Sequence, residues 1–490
     1  MHDLIRDLGK QSCFSTLLLD SGRPPAGTAD VTSPYDGKVL ATVPTGGVDH
    51  VDDALSVAHA LFRDRDNWLP VPQRIEILGN AARLMEEKKE FLTVLAASEG
   101  GKPYRDSAVE VDRAIDGVHL AIETLRGHPG SVIPVGTTRA TGGRVAFTVK
   151  EPIGVVVAVS AFNHPLNLIV HQVAPAVAAG CPVVVKPAAD TALSCLHFVQ
   201  LLRDAGLPPA WCQAIVTDGN ETAERLVTDK RVGFFSFIGS ARVGWMLRAK
   251  LAPGARCALE HGGAAPVVLA GEYDFDLALS SIAKGGFYHA GQVCVSVQRV
   301  FAPKRSAKKF AKALGKIAAN LKVGDPVSRE TEVGPLIRAG EVERVAEWVD
   351  EAVAAGAKLV SGGKVLDRSC YAPTVLLDPP ADARVSTEEI FGPVVCVYSY
   401  DDVDAAYAQA NSLPVAFQAA VFTRDVDKAN EAFRYLDASA VMINDHSAFR
   451  DDVMPFAGLR ESGLGVGGIP YTMEDMQIDK MMVIMSPAFD

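Results

Sequence analysis

The chain has 490 residues, 48% of them apolar, and a formal net charge of -11; the length points to two or three domains, and the acidic balance excludes sequence-independent nucleic-acid binding, which needs a basic excess to displace counterions. No stretch approaches the ~18 uninterrupted apolar residues of a membrane span, and residues 17–19 are too short an apolar core for a secretory signal. The eight cysteines, at 13, 181, 195, 212, 257, 294, 370 and 396, stand singly, without the spacing of a zinc site or a disulfide framework, so a cytoplasmic protein with reduced thiols, no metal, no membrane partner and no nucleic-acid partner is expected.

Residues 1 to about 55 alternate short apolar runs with turn signals such as Ser33-Pro34-Tyr35-Asp36-Gly37, which predicts short strands of an edge sheet. Residues 51–126 turn helical: Val51, Ala54, Leu55 and Ala58 repeat at helical spacing, as do Ile75, Leu78, Ala81, Ala82 and Met85. An alternating segment at 144–149 should be a strand. Residues 154–270 carry the clearest architectural signal, with strands predicted at 155–160, 182–186, 213–216, 234–237 and 258–260 between helices at 167–179, 191–205, 221–228 and 240–251. Strands alternating with helices mean right-handed crossovers and a parallel sheet of dinucleotide-binding type, although G-x-G-x-x-G is missing. A second α/β set starts at Phe275, with a helix to about Ala290, a strand at 296–302, a basic helix at 306–321 and a helix at 341–355. Strands at 374–377, 394–400, 419–422 and 441–444 and helices at 402–411 and 425–436 complete it. The apolar tail, 481–486, is a strand in need of a partner, and another subunit is one way to supply it.

Several groups gather at predicted strand ends, where ligands of open α/β sheets lie. Gly239-Ser240 opens a helix and would offer free N–H groups to a pyrophosphate, though Gly-Ser also simply caps helices. Lys186 ends one strand, where it suits ribose hydroxyls or solvent. Asn163, just past another, fits an oxyanion donor or an Asx turn before Pro165. Glu260, beside Gly262 and Gly263, is a carboxylate that is costly at an internal strand end unless paired or used as a base. Cys294, in Gly291-Gln292-Val293-Cys294, follows a predicted helix and reads as a nucleophile or a core thiol.

These motifs, in order over nearly the whole chain, resemble the aldehyde dehydrogenase superfamily: Phe162-Asn163, Lys186-Pro187-Ala188, Phe237-Ile238-Gly239-Ser240, Glu260 with Gly262-Gly263, Gly291 to Cys294, Glu389-Ile390-Phe391-Gly392-Pro393, and Pro455-Phe456-Ala457-Gly458 with Ser462-Gly463. The resemblance implies that Cys294 attacks an aldehyde carbon to form a thiohemiacetal, that Asn163 and the Cys294 N–H steady the oxygen, that hydride leaves for a nicotinamide, and that Glu260 activates water to hydrolyse the thioester. It also implies Lys186 on the adenosine ribose, Gly239 and Ser240 on the pyrophosphate, Glu389 on the nicotinamide ribose and Phe391 beside that ring. The implied fold is α/β. An open parallel-sheet dinucleotide-binding domain spans residues 1–130 and 151–259, and a catalytic domain spans 260–445 with its active-site loop to about 470. A small β oligomerisation arm, 131–150 with 471–490, implies a homodimer or homotetramer.

Departures from the pattern shape the remaining expectations. His261 follows the base, where it either tunes Glu260 or packs structurally. Ala189 replaces the glutamate that bars NADP in many NAD-preferring members, and neighbouring Asp190 restores part of that bar, so the cofactor is NAD or NADP. His164, Val293 and Val295 occupy substrate-mouth positions; Arg113 and Arg450 are candidates for an anion on the aldehyde, or else surface or salt-bridged residues. Val293 stands where members specific for glyceraldehyde 3-phosphate carry arginine, which leaves a small polar or singly anionic aldehyde as the expected substrate. Glu260 disfavours coenzyme A acylation, since acylating members typically lack it. A thioesterase or acyl transferase, and a non-catalytic member of the fold, are the alternatives.

Overall fold

The computed structural model describes residue 14 and residues 17–127 and 129–489; Cys13 and most of the leading residues lie outside them. Val155–Val159 is a run of four valines and an alanine, buried throughout, as a central parallel strand covered on both faces has to be. Alternation sends its side chains into two cores. Val156 and Ala158 pack beneath the helices Val71–Glu87, Tyr104–Gly127, Asn167–Ala179 and Ala192–Asp204, while Val155, Val157 and Val159 face the helices Val48–Arg63 and Asn220–Thr228. Its neighbours are Val232–Ile238 on one side and Val183–Lys186 on the other, with Arg256–Glu260 and Cys212–Ala214 beyond them, all parallel. Lys186, Ile238 and Glu260 therefore finish at the same end of the sheet.

The second sheet has seven strands in the order Lys358–Ser361, Thr374–Leu377, Val394–Tyr400, Val297–Pro303, Ala265–Leu269, Gln418–Phe422 and Ala440–Ile443; only the first pair is antiparallel. Here the fold departs from expectation, because Ala265–Leu269 was not predicted as a strand. Pro266 in a short apolar run argues against a central strand, yet the ladder tolerates it at a register shift between Ala265 and Pro266. The predicted helix reaching Ala290 stops at Phe287, because His289 (φ 49°) and Ala290 (φ 53°) turn left-handed.

The two sheets are tied by the segment that follows the second. Leu459–Arg460 pairs with Val415–Ala416, and Gly463–Leu464 pairs antiparallel with Leu259 and Glu260 of the first sheet. The helix Ile469–Asp475 then drives Ile469 and Met473 into the first core. A third sheet pairs the strands Gln477–Met485 and Arg144–Pro152 along nine residue pairs, with Val132–Ile133 beyond. Gln477–Met485 is an edge of that sheet, and Met481 to Met485 are all exposed. Among the described residues no helix is long and apolar enough to cross a membrane.

Candidate active site

The left-handed pair His289 and Ala290, with Gly291 at φ 70°, turns the chain sharply before Cys294. Only glycine fits at 291, where a Cβ would sit 2.1 Å from the Gly392 oxygen. Around that turn Gln292 Oε1 accepts from the Ile337 N–H (2.9 Å), Ser296 Oγ donates to the Gly285 oxygen (3.0 Å) and Ser447 Oγ donates to the Val295 oxygen (2.8 Å). The bend is thus fixed on three sides. Cys294, half-buried, packs against the small cluster of Val293, Val295 and Phe417, as do Tyr288, Ala448 and Phe456.

Asn163 Nδ2 donates to the Gln292 oxygen (3.0 Å), which brings a buried amide alongside the cysteine loop and leaves its second N–H free of that bond. Burial pushes the Cys294 thiol up, and the carboxyls of Glu389 and Glu260 add to the push while Arg450 opposes it. Glu260 sits at the junction of the sheets, its backbone paired with Ile238 on one side and Gly463 on the other. Burial raises its carboxyl to about 7, against the pull of Arg450. Gly467 makes room for that carboxyl, since a Cβ there would meet Oε1 at 2.0 Å.

Glu389 lies over Gly262 and accepts from the Gly263 N–H (3.1 Å); burial raises it to about 8. Phe391 stands edge-on to Phe162, 5.9 Å between centroids. Lys186 donates to the Pro187 oxygen (3.1 Å), and Ser240 caps the helix Ala241–Arg248 with no hydrogen bond from its side chain to the helix. A strand-end ammonium, an uncommitted hydroxyl at a helix start and a carboxylate in a glycine cradle form a donor and acceptor set that fits a dinucleotide. Asp190, beside Ala189, is held by Arg338, with Nε donating to Oδ1 at 3.0 Å and Nη2 to Oδ2. His261 Nδ1–H donates to the Gly239 oxygen (2.9 Å), and its ring packs against Phe237 and Trp245 above Gly244.

The two arginines differ. Arg113 is engaged by Asp452 through Nη2–Oδ1 (2.6 Å) and Nε–Oδ2 (3.1 Å), and His171 Nε2 donates to the same carboxylate at 2.8 Å. Against the upward push of burial, His171 and Arg113 hold Asp452 well below the usual carboxylate range. Arg450 donates from Nη1 to the Met454 oxygen (2.6 Å) and lies 4.5 Å over the Phe456 ring, while its buried Nη2 has no hydrogen-bond partner among the described residues. Sequence reasoning missed Tyr288, Lys102 and Gly467. Tyr288 hid in the predicted helix, six residues before Cys294, and Lys102, in Gly100-Gly101-Lys102-Pro103, looks like an ordinary loop lysine.

Comparison with known proteins agrees with this arrangement. The pattern described as the aldehyde dehydrogenase family matches residues 23–482. The chain is 36% identical over 455 residues to a 3-sulfolactaldehyde dehydrogenase of Priestia megaterium, covering 93% of this chain and 94% of that one. Aldehyde dehydrogenase 21 of Physcomitrella patens, solved with the reaction product succinate, superposes with a TM-score of 0.92 at 33% identity, covering 96% of this chain and 98% of that one. A glyceraldehyde-3-phosphate dehydrogenase of Methanocaldococcus jannaschii, solved with NADP, gives 0.90 at 33% identity, covering 95% and 100%. With cysteine, amide and carboxylate gathered on this fold and the family pattern running almost from end to end, the chain belongs to the aldehyde dehydrogenase family.

Proposed function

We propose that Cys294 is the nucleophile of an NAD(P)-dependent aldehyde dehydrogenase, with Asn163 and the Cys294 N–H as oxyanion donors and Glu260 as general base. The enzyme oxidises a small polar aldehyde to its carboxylic acid. As the sulfur bonds to the carbonyl carbon, negative charge develops on the carbonyl oxygen, where a preorganised amide donor acts most strongly. When bound, the nicotinamide would supply the acceptor for the hydride lost as the tetrahedral carbon becomes a thioester. Lys186, Gly239, Ser240, Glu389 and Phe391 would hold the cofactor. Glu260, as carboxylate, takes a proton from water so that the thioester is cleared. The convergence of Asn163, Glu260 and Arg450 on the Cys294 loop carries this reading.

The unspent Arg450 Nη2 supports an acid or hydroxyl group on the aldehyde, in keeping with the substrates that the relatives' names give them. Arg113, tied to Asp452, positions the loop that carries Arg450. Two bodies, 1–130 with 151–259 and 260–445, frame the site, and residues 131–150 with 471–490 join subunits into a homodimer or homotetramer.

A panel of short aldehydes with NAD or NADP, followed by absorbance of the reduced cofactor, tests the reaction. Cys294→Ser is expected to abolish turnover yet retain dinucleotide binding, and Glu260→Gln to leave a burst of about one equivalent before slow turnover. No signal with any aldehyde, together with no dinucleotide binding, overturns the reading.

A further inference from the structure

The helix Asn167–Ala179, which follows the Asn163 loop, starts without a side-chain cap of its own, because its N-cap position is the apolar Leu166. The cap comes from another element. Glu110, on the helix Tyr104–Gly127, reaches across so that its Oε1 accepts the N–H groups of Leu166 (2.9 Å) and Asn167 (3.1 Å), which a helix start leaves without intrahelical partners. Its Oε2 is bonded to Lys102 Nζ (2.5 Å), and the two side chains are sealed from solvent, Lys102 at 0% exposure and Glu110 at 1%. Apolar residues of similar volume would often stabilise such a core as well as the pair does, so stability alone is a weak reason for it.

Burial draws the Lys102 ammonium toward its neutral form, with Glu110 pulling the other way. The cap holds for either placement of the proton between them. On Nζ the proton leaves Glu110 a carboxylate, and on Oε2 it leaves a carbonyl oxygen at Oε1, so in both cases Oε1 has lone pairs for the two N–H groups. From Leu166 back to Asn163 the chain has little freedom. The Pro165 ring fixes its own φ and restricts His164 before it. The His164 oxygen accepts from the Leu168 N–H (3.1 Å), and the His164 ring lies between Lys102 Nζ, 2.7 Å from Nδ1, and the Tyr288 oxygen, 3.0 Å from Nε2. Asn163 is therefore tied twice, by its side chain to the Gln292 oxygen (3.0 Å) and through the backbone to Glu110.

We propose that Glu110 and Lys102 are positioning residues for the oxyanion site: their cap on Leu166 and Asn167 sets where the Asn163 amide stands relative to Cys294. The proposal rests on the dehydrogenase reading, in which that amide meets the oxygen that becomes negative. Such a donor acts only when aimed where the charge develops, and a displacement of about 1 Å can cost about 100-fold in rate. Sealed from solvent, neither side chain can reach an aldehyde, and both act through Asn163.

The test compares two double variants, because either residue alone would be left buried without its partner. The first, Lys102→Met with Glu110→Leu, removes the pair and the acceptor together. The second, Lys102→Met with Glu110→Gln, keeps an acceptor oxygen in nearly the same place. Single-turnover hydride transfer from propanal to NAD or NADP, read as absorbance of the reduced cofactor, is expected to fall about 10–100-fold in the first and to stay within about 3-fold of wild type in the second. Dinucleotide affinity and alkylation of Cys294 by iodoacetamide, which needs no oxyanion donor, are expected to hold within about 2-fold in both, whereas a purely structural role would move them as well. In an Asn163→Ala background the first variant should slow hydride transfer no further, because both changes act on one donor. Equal rates in the two variants, or independent slowing in that background, overturn the proposal alone. Full-speed hydride transfer in Asn163→Ala overturns the oxyanion assignment and the proposal with it. If the wild-type chain oxidises no aldehyde, the dehydrogenase reading falls by itself; amide hydrogen exchange over residues 161–168 then decides the positioning, with faster exchange expected in the first variant and equal exchange in the two overturning it.

Discussion

Glu260 is a carboxyl whose burial holds it near neutrality, at about 7, and this sets how the enzyme should respond to pH. Only the carboxylate can take a proton from water. Below about 7 the competent fraction falls tenfold per pH unit, and above it the fraction saturates, so the hydrolytic step should rise with pH to a plateau. Single-turnover decay of the acyl-enzyme across pH 5.5–8.5 measures this, and a flat profile would remove Glu260 from the role. Gly467→Ala tests the same carboxyl sterically. The added Cβ would lie 2.0 Å from Oε1, so the base must swing away, and deacylation should slow about 10–100-fold with the acylation burst retained. Cys294, Asn163 and Glu260 were legible in the sequence because each sits in a short motif of distinctive neighbours. Lys102 and Tyr288 were not, because a lysine at 0% exposure and a tyrosine at a helix end have no local signature; what joins them is His164, distant in the chain from both.

The short helical turn Ala189–Thr191, which follows the strand ending at Lys186, decides what the adenosine ribose would meet. Ala189 offers no charge there, and Asp190, expected to supply some, is neutralised by Arg338. Neither residue then repels a 2′-phosphate. Ala189→Glu should restore that repulsion and shift the ratio of kcat/KM from NADP toward NAD by about 10-fold or more, read from initial rates with each cofactor. Elements with strong periodicity were legible to within a few residues, as the helix Asn167–Ala179 shows. Two failures have local causes. Ala265–Leu269 has no alternation and contains a proline, so only its two parallel neighbours reveal it as a strand. The helix before Cys294 ends on left-handed residues, His289 and Ala290, that are not themselves glycines.

Across the whole molecule, two parallel sheets share one seam, and the strand pairing of Gly463 with Glu260 closes it. The third sheet stands apart as a ribbon, its outer strand exposed on both faces from Met481 to Met485. An uncovered apolar edge of this length is a template for another chain, and a second copy of this ribbon is the occupant we propose. Val483→Lys with Met485→Lys should lower the sedimentation coefficient toward that of a monomer; an unchanged coefficient would place the subunit contact elsewhere. Methionine supplies three of the five residues Met481 to Met485. Oxidation of a thioether to its sulfoxide turns an apolar contact polar, so peroxide would act on dissociated subunits and leave assembled ones shielded. If copies pair through the ribbon, oxidative damage and assembly would be linked: a subunit oxidised there would lose the surface by which it could rejoin a partner.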